Sequence, residues 1–241
     1  MENISLPKRL FYRYLGVMYW LIHWTDVQKV LEVRLGTVIR WFSLAVPILG
    51  WIQGWHLAGM ILALLFILWI QFSYWRGRRS GYFRFVGETA DPFSSAEITP
   101  MQKNKHIPVC ATGIFSLKDW EENVVFRPAE YWQVPLGDHA IKVEHAPGRF
   151  LYQFISADLM QDMQKGWLLF GSRPNRAISV TFLSIWGPEF SDENFSLGGN
   201  SRKKAMEKVR KIYLSFEEDE HEVSVWNNLL FDARRVRSVQ V

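Results

Sequence analysis

The sequence predicts an N-terminal transmembrane helical hairpin followed by a mainly antiparallel β domain, a small barrel or sandwich. Three observations carry this. From Trp41 to Trp75 there are 35 residues without a single Lys, Arg, Asp or Glu. Residues 1–84 hold ten Lys/Arg against three Asp/Glu, and residues 85–241 hold eighteen against twenty-one, so the net charge of +4 conceals a basic part and a slightly acidic one. Beyond residue 108 the chain breaks into short alternating runs between turn formers, the period-two signature of strands. With 49% hydrophobic side chains, the composition excludes a disordered chain. The single cysteine, Cys110, excludes a disulfide scaffold and a Cys-rich zinc site.

Residues 1–34 form the first segment. Residues 10–24 are dense in aromatic and aliphatic side chains, too short for a comfortable span, and contain Arg13. They lack the small-residue cleavage site of a signal peptide. They predict an aromatic-rich helix lying in a membrane interface, with a third, tilted span as the competing reading. Asp26, Lys29, Glu32 and Arg34 then make a mixed-charge lead into the next segment.

Residues 35–84 predict the two-span hairpin. A helix needs roughly 20 residues to cross a hydrocarbon core, so the uncharged stretch is too long for one ordinary span. Pro47, Gly50 and Gly54 interrupt its middle, because proline lacks a backbone donor and glycine loosens the helix. The first arm starts near Leu35, with Arg40 snorkelling to the interface. The second runs from about Trp55 to Trp75. Trp51 and Trp55 flank the turn, and Trp41 and Trp75 flank the opposite ends, the headgroup level that indole favours. Lys8, Arg9, Arg13, Lys29, Arg34 and Arg40 precede the hairpin; Arg76, Arg78, Arg79 and Arg84 follow it; the turn carries no Lys or Arg. Cationic flanks stay on the cytoplasmic side, which predicts cytoplasmic N- and C-termini at the plasma membrane. The expected interface residues are Trp41, Trp51, Trp55, Trp75, Arg76, Arg78 and Arg79.

Residues 85–107, rich in Gly, Pro, Ser and polar side chains, read as a linker. Residues 108–241 read as a cytoplasmic β-rich domain of seven to nine strands. The first runs from Val109 to Leu117. Residues 123–126 and 131–134 read as separate strands divided at Arg127-Pro128. Residues 140–145 and 150–155 form a hairpin about Ala146-Pro147-Gly148-Arg149. Residues 158–165 read as one or two helical turns, followed by strands at 167–170 and 177–186. Residues 187–208 read as an exposed loop and a basic stretch suited to a short helix. A last hairpin is expected, with Ile212, Leu214 and Phe216 on one face, the acidic run Glu217–Glu220 as its turn, and Val223 and Val225 returning. This layout is similar to bacterial membrane proteins that carry pleckstrin-homology-like or small β-barrel domains. The likeness is one of architecture and transfers no functional residue.

The sequence contains no phosphate-loop, dinucleotide-binding, nucleophile-elbow or H-E-x-x-H motif. Cys110, in an apolar run, reads as a buried structural thiol. Asp138-His139 with Glu144-His145 is the best polar cluster. Two histidines six apart share a face of a straight strand and with a carboxylate could bind a metal or run acid–base chemistry, though a third ligand at a fitting spacing is missing. A position just after Gly137, however, favours solvent-exposed turn residues. Arg149, Arg173 and Arg176, at two turns, are the candidate ligand-binding residues, since guanidinium forks suit phosphate or carboxylate. The run Arg202–Lys211, six Lys/Arg in ten residues, suits either solvent or anionic lipid. Trp120, Trp132, Trp167, Trp186 and Trp226 are expected mostly in the core.

These features favour a non-enzymatic protein whose hairpin holds a β domain at the membrane for protein interaction or complex assembly. The expected partners are the lipid bilayer and a protein partner or a second copy. Nucleic acid is disfavoured by the acidic domain, and no cofactor is called for. The alternatives are a sensor whose β domain binds a small anion, a nucleotide or lipid headgroup, and a hydrolase using His139 and His145.

Overall fold

The computed structural model describes residues 5–88, 106–117, 120–134, 138–186 and 206–239. The chain divides into two compact units, Met1–Arg84 with Leu169–Pro174, and Phe85–Leu168 with Asn175–Val241. Two long apolar helices packed as a hairpin lie in the first. An antiparallel β domain forms the second.

In the first unit, α1 (Leu6–Val27) leads through a minimal hairpin, β1 (Lys29–Val30) and β2 (Val33–Arg34), into α2 (Leu35–Ile52) and α3 (Leu57–Arg79). At 1.5 Å per residue α2 and α3 are about 27 and 34 Å long, and both are apolar enough to cross a membrane. The turn between them is built by two glycines. Gly54 adopts φ 69°, a region that side chains with a Cβ avoid. Gly50 leaves room for the Trp55 indole, which would lie 2.7 Å from a Cβ there, and the backbone N–H of Trp55 donates to the Gly50 carbonyl at 2.9 Å. Arg40, expected to reach the interface, is bonded across the hairpin. Its Nε donates to Gln71 Oε1 at 2.8 Å, and Gln71 Nε2 donates back to the Arg40 carbonyl at 3.2 Å and to Ser43 Oγ at 3.3 Å. This clasp joins α2 to α3 by pairing polar groups with each other. Pro47 is accommodated within α2.

Helix α1 packs only its second half. Leu15, Met18, Tyr19, Ile22, Thr25 and Asp26 are buried, whereas its first two turns are exposed all round. The residues expected to form an interfacial helix thus begin four positions earlier and end three later than the sequence suggests.

In the second unit, eight strands follow the order β3-β8-β9-β10-β4-β5-β6-β7. They are β3 (Arg84–Gly87), β4 (Ile107–Leu117), β5 (Trp120–Gln133), β6 (His139–Ala146), β7 (Arg149–Ile155), β8 (Met160–Leu169), β9 (Asn175–Trp186) and β10 (Met206–Ser215). The pairings among β4 to β10 are antiparallel. A further pairing of Ser116 in β4 with Tyr152 in β7 closes β4 to β7 into a four-stranded barrel, leaving the other four strands outside it. Alternate residues fill its interior: Ile107, Val109 and Ala111 from β4, Ile141 and Val143 from β6, and Leu151 and Ile155 from β7. The β6–β7 hairpin matches the sequence expectation.

Four expectations need correction. Residues 120–133 form one strand, not two. A register shift between Ala111 and Gly113 and φ 47° at Phe126 bend it, and the Phe126 N–H donates to Thr112 Oγ1 at 2.9 Å, so Pro128 continues the strand instead of ending it. Residues 158–165 are not helical; a single 3-10 turn at Ala157–Leu159 leads into β8. The stretch read as linker starts with β3 and ends with the first residue of β4; its residues 89–105 lie outside the described residues, as do 187–205 of the expected loop and basic helix, whose last residues belong to β10.

The fourth correction is the largest. The chain does not return as a strand after the acidic run. Asp219–Val239 is a helix, α4. Asp219, Glu220 and Glu222 in its first turn complement the positive end of the helix dipole. Val225, Leu229 and Ala233, with Trp226 and Leu230, repeat at helical spacing and are all buried in the domain core. Each Val or Leu of this stripe contributes about 1.5–3 kcal/mol on burial.

Two measurements check these units. A Cβ built on Gly77 lies 3.5 Å from the Ile22 Cβ, within the disulfide range of about 3.5–4.5 Å. Ile22→Cys with Gly77→Cys, in a Cys110→Ser background, should therefore cross-link α1 to α3 on mild oxidation, read as a mobility shift reversed by reductant. Leu229→Ala should lower stability by about 2–5 kcal/mol in urea denaturation of the detergent-solubilised chain.

Candidate functional site

Two buried polar constellations stand out, one in each unit. In the first, Asp26 near the end of α1 receives a bidentate fork from Arg78 at the end of α3. Nε donates to Oδ2 at 2.8 Å and Nη2 to Oδ1 at 2.7 Å, and Tyr82 donates its hydroxyl to Oδ2 at 3.1 Å. Burial pushes the Asp26 carboxyl up, but the Arg78 guanidinium and the Tyr82 hydroxyl outweigh it and hold the group below the ordinary carboxylate value. Beside this pair, Thr25 Oγ1 and the Tyr74 hydroxyl lie 2.9 Å apart. Arg78, expected at the membrane interface, fastens α1 onto α3 through this fork.

The second constellation is centred on His139 in β6, which is fully buried rather than in solvent. Its Nδ1 lies 2.8 Å from the Tyr131 hydroxyl of β5. Its Nε2 lies 3.6 Å from Asp232 Oδ2 on α4, too long for a hydrogen bond but close enough for electrostatic attraction. Gln133 Nε2 donates to the same carboxylate oxygen, and Asn228, one helical turn before Asp232, hydrogen-bonds Tyr131. Tyr131, Gln133, Asn228 and Asp232 are all buried. Burial pushes the His139 imidazole down to about 4, so it is neutral at physiological pH. Its Nδ1 is engaged with the Tyr131 hydroxyl, and its Nε2 faces Asp232.

A tyrosine, a histidine and an aspartate in sequence are parts of an acid–base relay, but a reacting group must reach them. Here every member is enclosed, and His139 Nε2 makes no hydrogen bond. The arrangement joins β5 and β6 to α4. His145 does not assist: a bulge between Glu144 and Ala146 breaks the shared face, and His145 Nδ1 lies 2.6 Å from Glu122 Oε2, in a separate pairing that also includes Arg127 at 3.4 Å.

The three candidate ligand-binding arginines are treated differently by the fold. Arg149 is exposed at the β6–β7 turn, and Arg173 is exposed in a segment of the first unit. Arg176 is occupied. Its Nε lies 3.7 Å from Asp219 and its Nη1 3.5 Å from the buried Glu222, and its guanidinium sits 5.3 Å from the Trp167 ring centroid. Cys110 is half-buried rather than buried, with its thiol raised by burial and by Glu217. Within the basic run, Arg202–Ala205 fall outside the described residues. Arg210 turns inward, donating to Ser116 Oγ at 3.0 Å, to Gln153 Oε1 at 3.2 Å and to the Glu121 carboxylate. Among the expected interface residues, Trp41, Trp51, Trp55 and Trp75 are all exposed, and Arg79 stacks over Trp75 at 5.3 Å.

Sequence reasoning missed Asp26, Asp232, Gln133, Asn228 and the inward turn of Arg210. Asn228 and Asp232 had a readable signal, since they are polar residues interleaved with the apolar stripe of α4. Asp26 had none, because its partner lies 52 positions away. Comparison with known protein families, with characterised proteins and with solved structures finds no match for the chain.

The buried imidazole makes stability pH-dependent. Its folded value lies below the ordinary value near 6.5, so the unfolded chain takes up the proton first as pH falls. The stabilisation is complete above about pH 6.5 and is lost progressively down to about pH 4, for a total of about 3 kcal/mol. His139→Phe should remove that slope in denaturation curves collected across the window, whereas His145→Phe should leave it in place.

Proposed function

We propose that this is a membrane-anchored, non-enzymatic protein whose α2–α3 hairpin holds the β domain at the cytoplasmic face of the plasma membrane, where the domain engages a protein partner or a second copy. The observation that carries this reading is the exposure of the apolar helices. Trp41 is 70%, Leu57 78% and Leu62 67% exposed. A core helix of a water-soluble protein would bury such residues, whereas lipid accommodates them without cost. The cations at the Leu35 and Arg79 ends, and their absence from the turn, support a cytoplasmic placement of both flanks. The enclosure of His139 supports a structural rather than catalytic use of the one relay-like cluster. Occupation of Arg176 by Asp219 and Glu222 weighs against anion sensing through that residue.

Carbonate washing should leave the chain in the membrane pellet, and a fluorescent reporter fused after Val241 should resist protease added outside intact cells. A chain that stays monodisperse in buffer without detergent, or a reporter degraded from outside, would refute the proposal.

A further inference from the structure

The hairpin between α1 and α2 has an unusual chemistry. Val30 pairs with Val33, and Lys29 with Arg34. The turn residues Leu31 and Glu32 sit at φ 51° and 66°, a geometry that two-residue hairpins normally assign to Asn and Gly. Leu31 is 92% exposed, so no protein contact offsets this strain. The Leu35 N–H donates to the Gln28 carbonyl at 2.9 Å. That makes residues 28 and 35 a hydrogen-bonded pair and Lys29/Arg34 the closer, non-hydrogen-bonded pair. The two cations therefore project side by side from one face, where like charges repel. Neither forms an ion pair among the described residues. The nearby Asp26 feels the Arg34 charge but is already taken by the Arg78 fork. Val30 and Val33 project from the opposite face and are each about half exposed.

The root of this hairpin is held level with the arginine-rich end of α3. Asp26 precedes it and is bonded to Arg78. Gly36 follows it, and a Cβ there would lie 2.4 Å from Asp26 Oδ1 and 2.7 Å from Tyr74 Cε1.

We propose that residues 29–34 form a lipid-headgroup clamp, with Lys29 and Arg34 gripping the phosphate of an anionic phospholipid while Val30, Leu31 and Val33 enter the boundary of its acyl chains. This rests on the membrane-anchor reading. A phosphate between the cations relieves their repulsion, and the acyl boundary covers the leucine. Free phosphate would do only the first, and the exposed apolar tip therefore selects lipid as the source.

The test uses the full chain in nanodiscs of phosphatidylcholine with or without phosphatidylglycerol, carrying Cys110→Ser and an environment-sensitive fluorophore on Leu31→Cys. The expected result is blue-shifted emission quenched by doxyl-labelled lipid. In native mass spectra, unlabelled chain should retain phosphatidylglycerol over phosphatidylcholine. That preference should fall about fivefold for each charge removed in Lys29→Gln and Arg34→Gln, and inorganic phosphate should not compete. Aqueous emission at position 31, an unchanged preference in the double variant, or displacement by inorganic phosphate would overturn the clamp. The same label on Leu64→Cys in α3 separates the two ideas. Lipid there with water at position 31 defeats the clamp alone; water at both defeats the anchor and the clamp together.

Discussion

An apolar helix surface has to be covered by something that does not hydrogen-bond, and α2 and α3 present such a surface along most of their length. Everything proposed for the chain follows from that constraint. Helical pairing of backbone donors and acceptors is what a spanning segment requires, and α2 departs from it at Pro47, which has no N–H to donate. Polar side chains across the hairpin are paired with one another: Gln71 with Arg40 and with Ser43. The exposed remainder consists of Leu, Ile, Phe and Trp.

Each unit then uses a buried polar cluster to position a helix that burial of apolar area would place only loosely. Hydrophobic contact is non-directional, so α1 could slide on α3 and α4 could rotate on the barrel. The Arg78 fork on Asp26, and the hydrogen bonds of Gln133 to Asp232 and of Asn228 to Tyr131, impose geometry, because each donor has an acceptor at a fixed distance. Removing one partner strands the other in a dry environment, a greater cost than the net worth of the bond. In both clusters the groups that sequence would suggest for surface roles, an interfacial arginine and a turn histidine, serve as internal fasteners.

The legible parts of the chain were those written in local pattern. The start of α2 at Leu35, the break near Gly50–Gly54 and the β6–β7 hairpin follow from neighbours within a few residues. The C-terminal helix is masked in the sequence because the alternation of β10 continues past Glu217 through Val223 and Val225. The spacing of Val225, Leu229 and Ala233, together with the acidic first turn, already pointed to a helix. Residues 158–165 failed for the opposite reason. Their polar side chains lack strand alternation, and only pairing with β9 makes them a strand. Proximity of Arg149, Arg173 and Arg176 to turns says nothing about whether a carboxylate such as Glu222 lies across from them, as it does for Arg176.

The amino-acid sequence alone determined the division into a basic, uncharged-cored N-terminal part and a β-rich remainder, because charge and hydrophobic periodicity are local properties that survive in one dimension. Tertiary structure decided which polar groups are available. Asp26 and Arg78 are 52 positions apart and Gln133 and Asp232 are 99 apart, and pairing at that separation depends on strand order and helix crossing, neither of which a local pattern encodes.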